Sequence, residues 1–281
     1  MTMTPVGKTS LWIAANRALG TESNAPLYRD PFARELAGQA GFDLVSMMKA
    51  AKHRDNTNTI GPSPYITIRT KFFDDAIVKG LSAFAIQQVV ILAAGMDARA
   101  FRLDWPSNLV LFEVDRDDVF VHKEAVLTHI QARPKCDRRI VCADLTGQWT
   151  AALQKAGFVS DRPAAFLMEG LLAYLDADSV ARLFNELNTI AHPGSWLGFD
   201  ISDADTLASP RLTQYLKQLE TLGSPWIFGI NDPKTYLAKH GWQGVVTQPG
   251  EPDADYGRWP YPPIPHRNTG RHHQFLVTAN N

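Results

Sequence analysis

An apolar run, Val89 to Ala93, leads into the small-residue turn Ala93-Ala94-Gly95-Met96-Asp97-Ala98-Arg99, and Asp115 closes the next apolar run about 20 residues past Gly95. A turn of this kind lets backbone approach a nucleotide-type cofactor closely, and an acid at that separation is placed to receive ribose hydroxyls. Glu113 shares a strand face with Asp115 by the two-residue period, so either or both could serve. The turn lacks the spaced glycines of GxGxxG, and helix capping is the structural alternative for these acids. Asp97 would repel a pyrophosphate, whereas a carboxylate there suits a cofactor that carries positive charge. Glu169, after a further apolar run, points the same way. An adenosine cofactor with cationic groups is therefore expected, of which S-adenosylmethionine, with its sulfonium and ammonium, is an example.

These residues need a scaffold that brings them to one edge. From Gln88 the chain alternates short apolar runs with helical segments, the pattern of a parallel sheet built from βαβ units. The expected strands are Val89 to Ala93, Leu109 to Val114, Arg139 to Cys142, Ala164 to Met168 and Trp196 to Phe199. Asp115, Glu169 and Asp200 each follow their strand directly, and Asp144 sits just past the third. Ligands of open α/β sheets bind beyond the carboxyl ends of the strands, so these acids are placed to line one crevice. Before residue 85 the chain reads as helical, with segments at Ser10 to Leu19, Asp30 to Ala40 and Ile66 to Leu81. Asp30 is the expected N-cap of the second, with Pro31 at its first position. Asp203 to Lys239 reads as an inserted cap. Gly244 to Thr247 and Gln274 to Thr278 follow as strands, joined across the surface by the proline-rich loop Trp259 to Pro265.

Composition excludes several classes. The 281 residues are 45% hydrophobic and 20% charged, as in a soluble globular chain large enough to fold without disulfides or structural metal. Lys plus Arg number 28 against 29 Asp plus Glu, which lacks the electrostatic footprint of a nucleic-acid or anionic-lipid binder. The cluster Arg133, Lys135, Arg138 and Arg139 reads as a solvated loop. Cys136 and Cys142 form neither a zinc set nor a disulfide framework, and Met1 to Thr9 lacks a signal-peptide pattern. No membrane span is expected, and a reducing cytoplasmic setting fits.

The sequence resembles the leucine carboxyl methyltransferase family of S-adenosylmethionine-dependent methyltransferases, including its bacterial and tetracenomycin-type polyketide O-methyltransferase members. The likeness runs through Thr9-Ser10-Leu11 to Arg17-Ala18, Leu27-Tyr28-Arg29-Asp30-Pro31-Phe32-Ala33 and Ile68-Arg69-Thr70-Lys71-Phe72-Phe73-Asp74-Asp75. It continues through Leu92 to Leu103, Phe112-Glu113-Val114-Asp115, Ala143-Asp144-Leu145 and Glu169-Gly170-Leu171-Leu172-Ala173-Tyr174-Leu175. It implies a Rossmann-like class I methyltransferase α/β fold: a mostly parallel sheet, an N-terminal helical lid and an inserted cap. Within one methyltransferase domain over 1–281, the lid would take 1–84, the cofactor-binding core 85–202, the substrate cap 203–240 and the C-terminal strands 241–281.

The resemblance further implies that Arg69 grips the methionine carboxylate of S-adenosyl-L-methionine and that the Gly95 turn passes beneath it. Asp115, with Glu113 beside it, would take the ribose hydroxyls. Asp144 and Leu145 would frame the adenine, and Glu169 would lie near the methionine amine. The family usually has Gly where this chain has Ala93, whose methyl could crowd the cofactor. Lid and cap would cover a small-molecule acceptor, with Arg17 and Tyr174 as candidate contacts; an ion pair within the lid is the alternative for Arg17. None of the 8 histidines falls in a recognised catalytic motif, so no catalytic base is assigned and a carboxylate acceptor is favoured, with a hydroxyl as the other case. His272-His273 suggests no metal site, since adjacent residues at a strand start point to opposite faces. An NAD-dependent oxidoreductase is the competing enzyme class, disfavoured by Asp97 and by the absence of a Tyr-x-x-x-Lys pair; a cofactor-binding partner protein without turnover is the third reading.

Overall fold

The computed structural model describes residues 3–51, 61–265 and 272–281. Three helices come first: α1 (Pro5–Thr21), α2 (Ala33–Ala51) and α3 (Pro64–Phe84). The alternating region then runs β1 (Gln88–Leu92), α4 (Arg99–Arg102), β2 (Val110–Asp115), α5 (Asp117–His129), β3 (Asp137–Cys142), α6 (Trp149–Lys155), β4 (Ala165–Met168), α7 (Ala177–Ile190) and β5 (Trp196–Ser202). The chain ends with α8 (Thr213–Thr221), α9 (Pro233–Lys239), β6 (Gln243–Thr247) and β7 (Gln274–Asn280).

The seven strands make one sheet in the order β3-β2-β1-β4-β5-β7-β6. Strands β1 to β5 pair in parallel, and β7 lies antiparallel between β5 and β6. Chain order reverses between β1 and β4, and a crevice opens at such a point beyond the carboxyl ends of the strands. Alternation along β1 divides the core: Val89 and Ile91 pack with α1, α2 and α3, while Val90 and Leu92 pack with α6 and α7 on the opposite face. All five residues of β1 are buried, as expected of a central parallel strand covered on both sides.

Local chemistry sets the helix starts. Thr4 and Ser63 accept from the backbone N–H of Gly7 and Ile66, each followed by proline at the first helical position. Asp30 does not cap α2. One of its oxygens accepts from Phe32 N at 3.3 Å and the other takes Arg17, so Asp30 to Phe32 form a turn and the helix begins at Ala33. That helix kinks at Gly38 (φ 54°, ψ −177°) and runs on to Ala51. β5 is longer than its apolar run: Asp200 lies inside it, buried, because its carboxylate has partners there. In the 203–240 stretch, α8 packs Tyr215 and Leu219 against Met48 and Trp12 of the N-terminal helices, whereas Leu237 of α9 enters the core beside the sheet. Among the described residues no helix is long and apolar enough to cross a membrane.

Candidate functional site

A cavity of about 1740 Å³ lies over the carboxyl edge of β1, β2, β4 and β5, walled by α1, α3, α8 and the loop around Trp259. The turn after β1 forms part of its floor. Ala93 turns left-handed there (φ 53°), a conformation that costs a residue with a Cβ roughly 1–2 kcal/mol. Glycine would relieve that strain but gives up roughly 0.5–1 kcal/mol of chain entropy. Ala93→Gly is therefore expected to raise the unfolding temperature by about 1–2 °C without weakening cofactor binding, read by thermal unfolding and calorimetric titration. Gly95 (φ 49°) cannot be replaced so easily: a Cβ there would stand 2.8 Å from Cβ of Ser10 in α1. Its N–H donates to Asp115 Oδ2 at 2.6 Å, which ties the turn to the end of β2.

Asp115 faces this cavity and accepts a second backbone bond from Arg116 N at 2.8 Å. Burial pushes its carboxyl above the usual range despite those two donors. Glu113, two residues earlier on the same face, does not reach the cavity. It is fully buried beneath α5, where Lys123 Nζ donates to it at 2.6 Å and Arg138 Nη2 at 2.7 Å. Arg138 is thus no member of a solvated loop; it bridges Glu113 and Glu124. Asp144 and Leu145 stand beyond β3, outside the cavity lining, with Asp144 exposed and accepting from Thr146 N and Oγ1.

The remaining charges form one chain through the interior. Arg17 donates to Asp30 at 2.8 Å, Asp30 lies 3.8 Å from Arg102, and Arg102 meets Asp74 at 2.6 Å. Asp74 accepts from Arg99 Nε at 2.8 Å; Arg99 also binds Asp97, and Glu169 at 2.8 Å. Glu169 lies 3.0 Å from Arg69 Nε, and Arg69 Nη1 donates to Asp200 at 2.8 Å, which also receives the Tyr65 hydroxyl. Four arginines therefore answer five carboxylates, and Asp115 adds a further acid at the cavity edge. Asp97 does not present a bare charge to the turn, as its sequence position suggested. Burial works to raise its carboxyl, but the Arg99 guanidinium overrides this and holds it down at about 2. Glu169 is likewise kept below its ordinary value, burial being outweighed by Arg99 and Arg69.

Of the residues singled out in the sequence, Arg17, Arg69, Ala93, Gly95, Asp115, Glu169 and Tyr174 line the cavity together, and Glu113, Asp144 and Leu145 do not. Arg17 lies in the wall, but its guanidinium is bound to Asp30 and to the Met96 carbonyl, so it joins α1 to the cofactor turn. Tyr174 sits in a 3-10 turn (Leu172–Tyr174) among Thr9 and Trp226, and burial pushes its phenol above the ordinary range. Asp200, expected from its place at a strand end to line the crevice, does so, and Tyr65, given no role from sequence, joins it in the lining. Asp74, Arg99 and Arg102 join behind it; their only sequence signal was membership of the matched motifs. His273 is buried against Phe275 and Gln248, whereas His272 faces the cavity and pairs with Thr206 at 2.5 Å.

Comparison with known proteins gives this geometry a family. The family profile for leucine carboxyl methyltransferase matches residues 10–188. A chain from Mycobacterium avium (strain 104), named as a candidate S-adenosyl-L-methionine-dependent methyltransferase, is 35% identical over 263 residues, covering 85% of this chain and 83% of its own. A similarly named relative from Mycolicibacterium smegmatis is 34% identical over 270 residues, covering 90% and 89%. In fold, the chain is similar to a DUF574 family protein from Streptomyces avermitilis (TM-score 0.56, 16% identity, 95% and 96% of the two chains). It is also similar to a candidate methyltransferase from Thermobifida fusca (TM-score 0.53, 18% identity, 95% and 93%). A mostly parallel sheet with its order reversal, a tight turn after the first strand and an acid closing the second thus accompany a match over more than half the sequence: the chain belongs to the leucine carboxyl methyltransferase family and is an S-adenosyl-L-methionine-dependent methyltransferase.

Proposed function

We propose that the protein methylates an oxygen of a small anionic molecule, a carboxylate in the first instance, in a cytoplasmic setting. The observation that carries this reading is the segregation of charge within one cavity. The acids of its lining, Asp97, Asp115, Glu169 and Asp200, lie at the sheet edge and outnumber the arginines that line that end, Arg17, Arg69 and Arg116, whereas Lys49 of α2, Lys217 of α8 and Arg211 just before α8 lie where no described lining residue is acidic. A cationic cofactor fits the first end and an anionic acceptor the second. Aromatic walls from Trp12, Tyr174, Tyr215 and Trp226 give the acceptor an apolar seat. From the lid region 1–84 and the cap region 203–240, α1, α3 and α8 serve as its cover.

The residues fit S-adenosylmethionine. The surplus carboxylate of the interior chain, five acids against four arginines, matches a ligand with one net positive charge. Arg69 would hold its carboxylate, Asp115 the ribose hydroxyls and Glu169 the ammonium, with Asp144 and Leu145 beyond β3 on the adenine side. Bound there, the cofactor supplies a methyl group activated by the sulfonium. The protein's own task is to exclude water and hold the acceptor oxygen in line, a contribution that reaches effective molarities on the order of 10⁵ M or more. A carboxylic acid with pKa near ~4 is ionised at pH 7, whereas a phenol near ~10 would need a base to offset roughly 4 kcal/mol.

The test uses methyl-labelled cofactor with a panel of aromatic and aliphatic acids and phenols. Label released as methanol by mild alkali marks a carboxyl ester and supports the reading; label that survives marks an ether and replaces carboxylate with hydroxyl. Lys217→Glu combined with Arg211→Glu is expected to raise KM for the acid acceptor by about tenfold, with the difference shrinking at high salt and kcat little changed. An unchanged KM would remove charge attraction from the account.

A further inference from the structure

Arg99 is almost wholly buried and does not line the cavity, yet it gathers carboxylates from three separate elements. Asp74 comes from α3, Asp97 from the turn after β1 and Glu169 from the end of β4. Two of these, Asp97 and Glu169, face the cavity, and each weakens the other's ionisation. Like charges so close are held together only by a shared cation. The planar guanidinium binds the three acids at once through Nε, Nη1 and Nη2, a wide and fixed fork that a compact ammonium does not reproduce.

We propose that Arg99 is a positioning residue that keeps Asp97 and Glu169 side by side as a paired-carboxylate seat for the cofactor's ammonium group. The inference rests on the S-adenosylmethionine reading above and extends it to a residue that never touches the ligand. The other cations facing the seat are Arg69 of α3, Arg17 of α1, Lys123 of α5 and Arg102 of α4, and the neighbouring acids are Asp74 of α3, held by Arg99 and Arg102, and Asp200 of β5, held by Arg69. Arg69 touches Glu169 and Asp200 but not Asp97, while Arg17 and Arg102 are engaged with Asp30 and Asp74, and Lys123 with Glu113. None of them bridges the two acids. Without Arg99, one of two adjacent buried carboxylates takes up a proton near neutral pH, and the seat loses half its charge.

The test is calorimetric titration of the full chain with S-adenosylhomocysteine, which carries the ammonium, and 5′-methylthioadenosine, which lacks it. The parent chain should bind S-adenosylhomocysteine within about threefold equally at about pH 6 and about pH 8.5, since the seat stays ionised across that range. In Arg99→Gln the affinity should fall at least about tenfold at the lower pH and partly recover at the higher, while 5′-methylthioadenosine holds within about twofold. Arg99→Lys keeps the charge but not the fork, so it should show a severalfold loss for S-adenosylhomocysteine alone, with no new pH dependence. Equal losses for both ligands, a pH-independent loss in Arg99→Gln, or no loss would overturn the proposal. Should Arg99→Gln fail to fold, the contrast between ligands in Arg99→Lys decides, and equal or absent loss there overturns it as well. A parent chain that binds neither ligand would instead defeat the cofactor reading.

Discussion

Asp115→Ala is expected to weaken binding of S-adenosylhomocysteine and of 5′-methylthioadenosine alike, by roughly 10²–10³-fold, because both carry the ribose and a charged acceptor contributes about 1.5–3 kcal/mol per hydrogen bond. The fold should survive. Burial raises the Asp115 carboxyl in the folded chain, so the folded state holds that proton more tightly than the unfolded one. Stability from such a group is fully present below the unfolded carboxylate value and declines as pH rises through the folded one, so at neutral pH the charge already weighs against folding. Its removal offsets the loss of the acceptor for Gly95 and Arg116 N–H, and the unfolding temperature should stay within a few degrees of the parent. Titration beside thermal unfolding checks both halves. Parent-like affinity would move the ribose away from the end of β2.

Lys123→Ala should be the most damaging change to stability. Lys123 and Glu113 are both fully buried, and loss of the cation leaves Glu113 with Arg138 alone. Breaking a buried pair from one side typically costs about 3–5 kcal/mol, enough to lower the unfolding temperature by roughly 10 °C. Joint replacement, Glu113→Gln with Lys123→Met, should recover much of that loss, because no unpaired charge remains and Arg138 keeps Glu124. Cofactor affinity of the folded double variant is expected to match the parent. A large loss of affinity at unchanged stability would return Glu113 to the ribose.

The strand cores were legible because the four inner parallel strands, β1, β2, β4 and β5, are buried on both faces and leave near-continuous apolar runs. β1, β2 and β4 end within a residue or so of the positions that those runs predict. What hydrophobicity hides is polar residues continuing a strand. β5 runs on through Asp200, and β3 starts at Asp137, because Arg69, Tyr65 and Gly170 N–H satisfy the first while backbone pairing with β2 holds the second. Periodicity gave Glu113 and Asp115 the same face correctly, but a face has depth: two residues, about one pleat repeat, separate the cavity edge from a site sealed by Lys123. Asp97 misled in another way. Its partner Arg99 is only two residues on, and nothing in spacing alone says that the two close on each other around Asp74 and Glu169. Asp30 had the form of a helix cap; its engagement with Arg17 is a long-range matter that local propensity does not see.

The contact of Ser10 with Gly95 and the grip of Arg17 on the Met96 carbonyl have a kinetic corollary. Both tie α1 to the backbone on which a nucleoside would rest, and Thr4 pins the start of the same helix by donating its N–H to Asp118 at 2.6 Å. The fastening of the amino-terminal helix is thereby expected to lengthen the stay of spent nucleoside, so that loosening it should speed dissociation of S-adenosylhomocysteine in stopped-flow release.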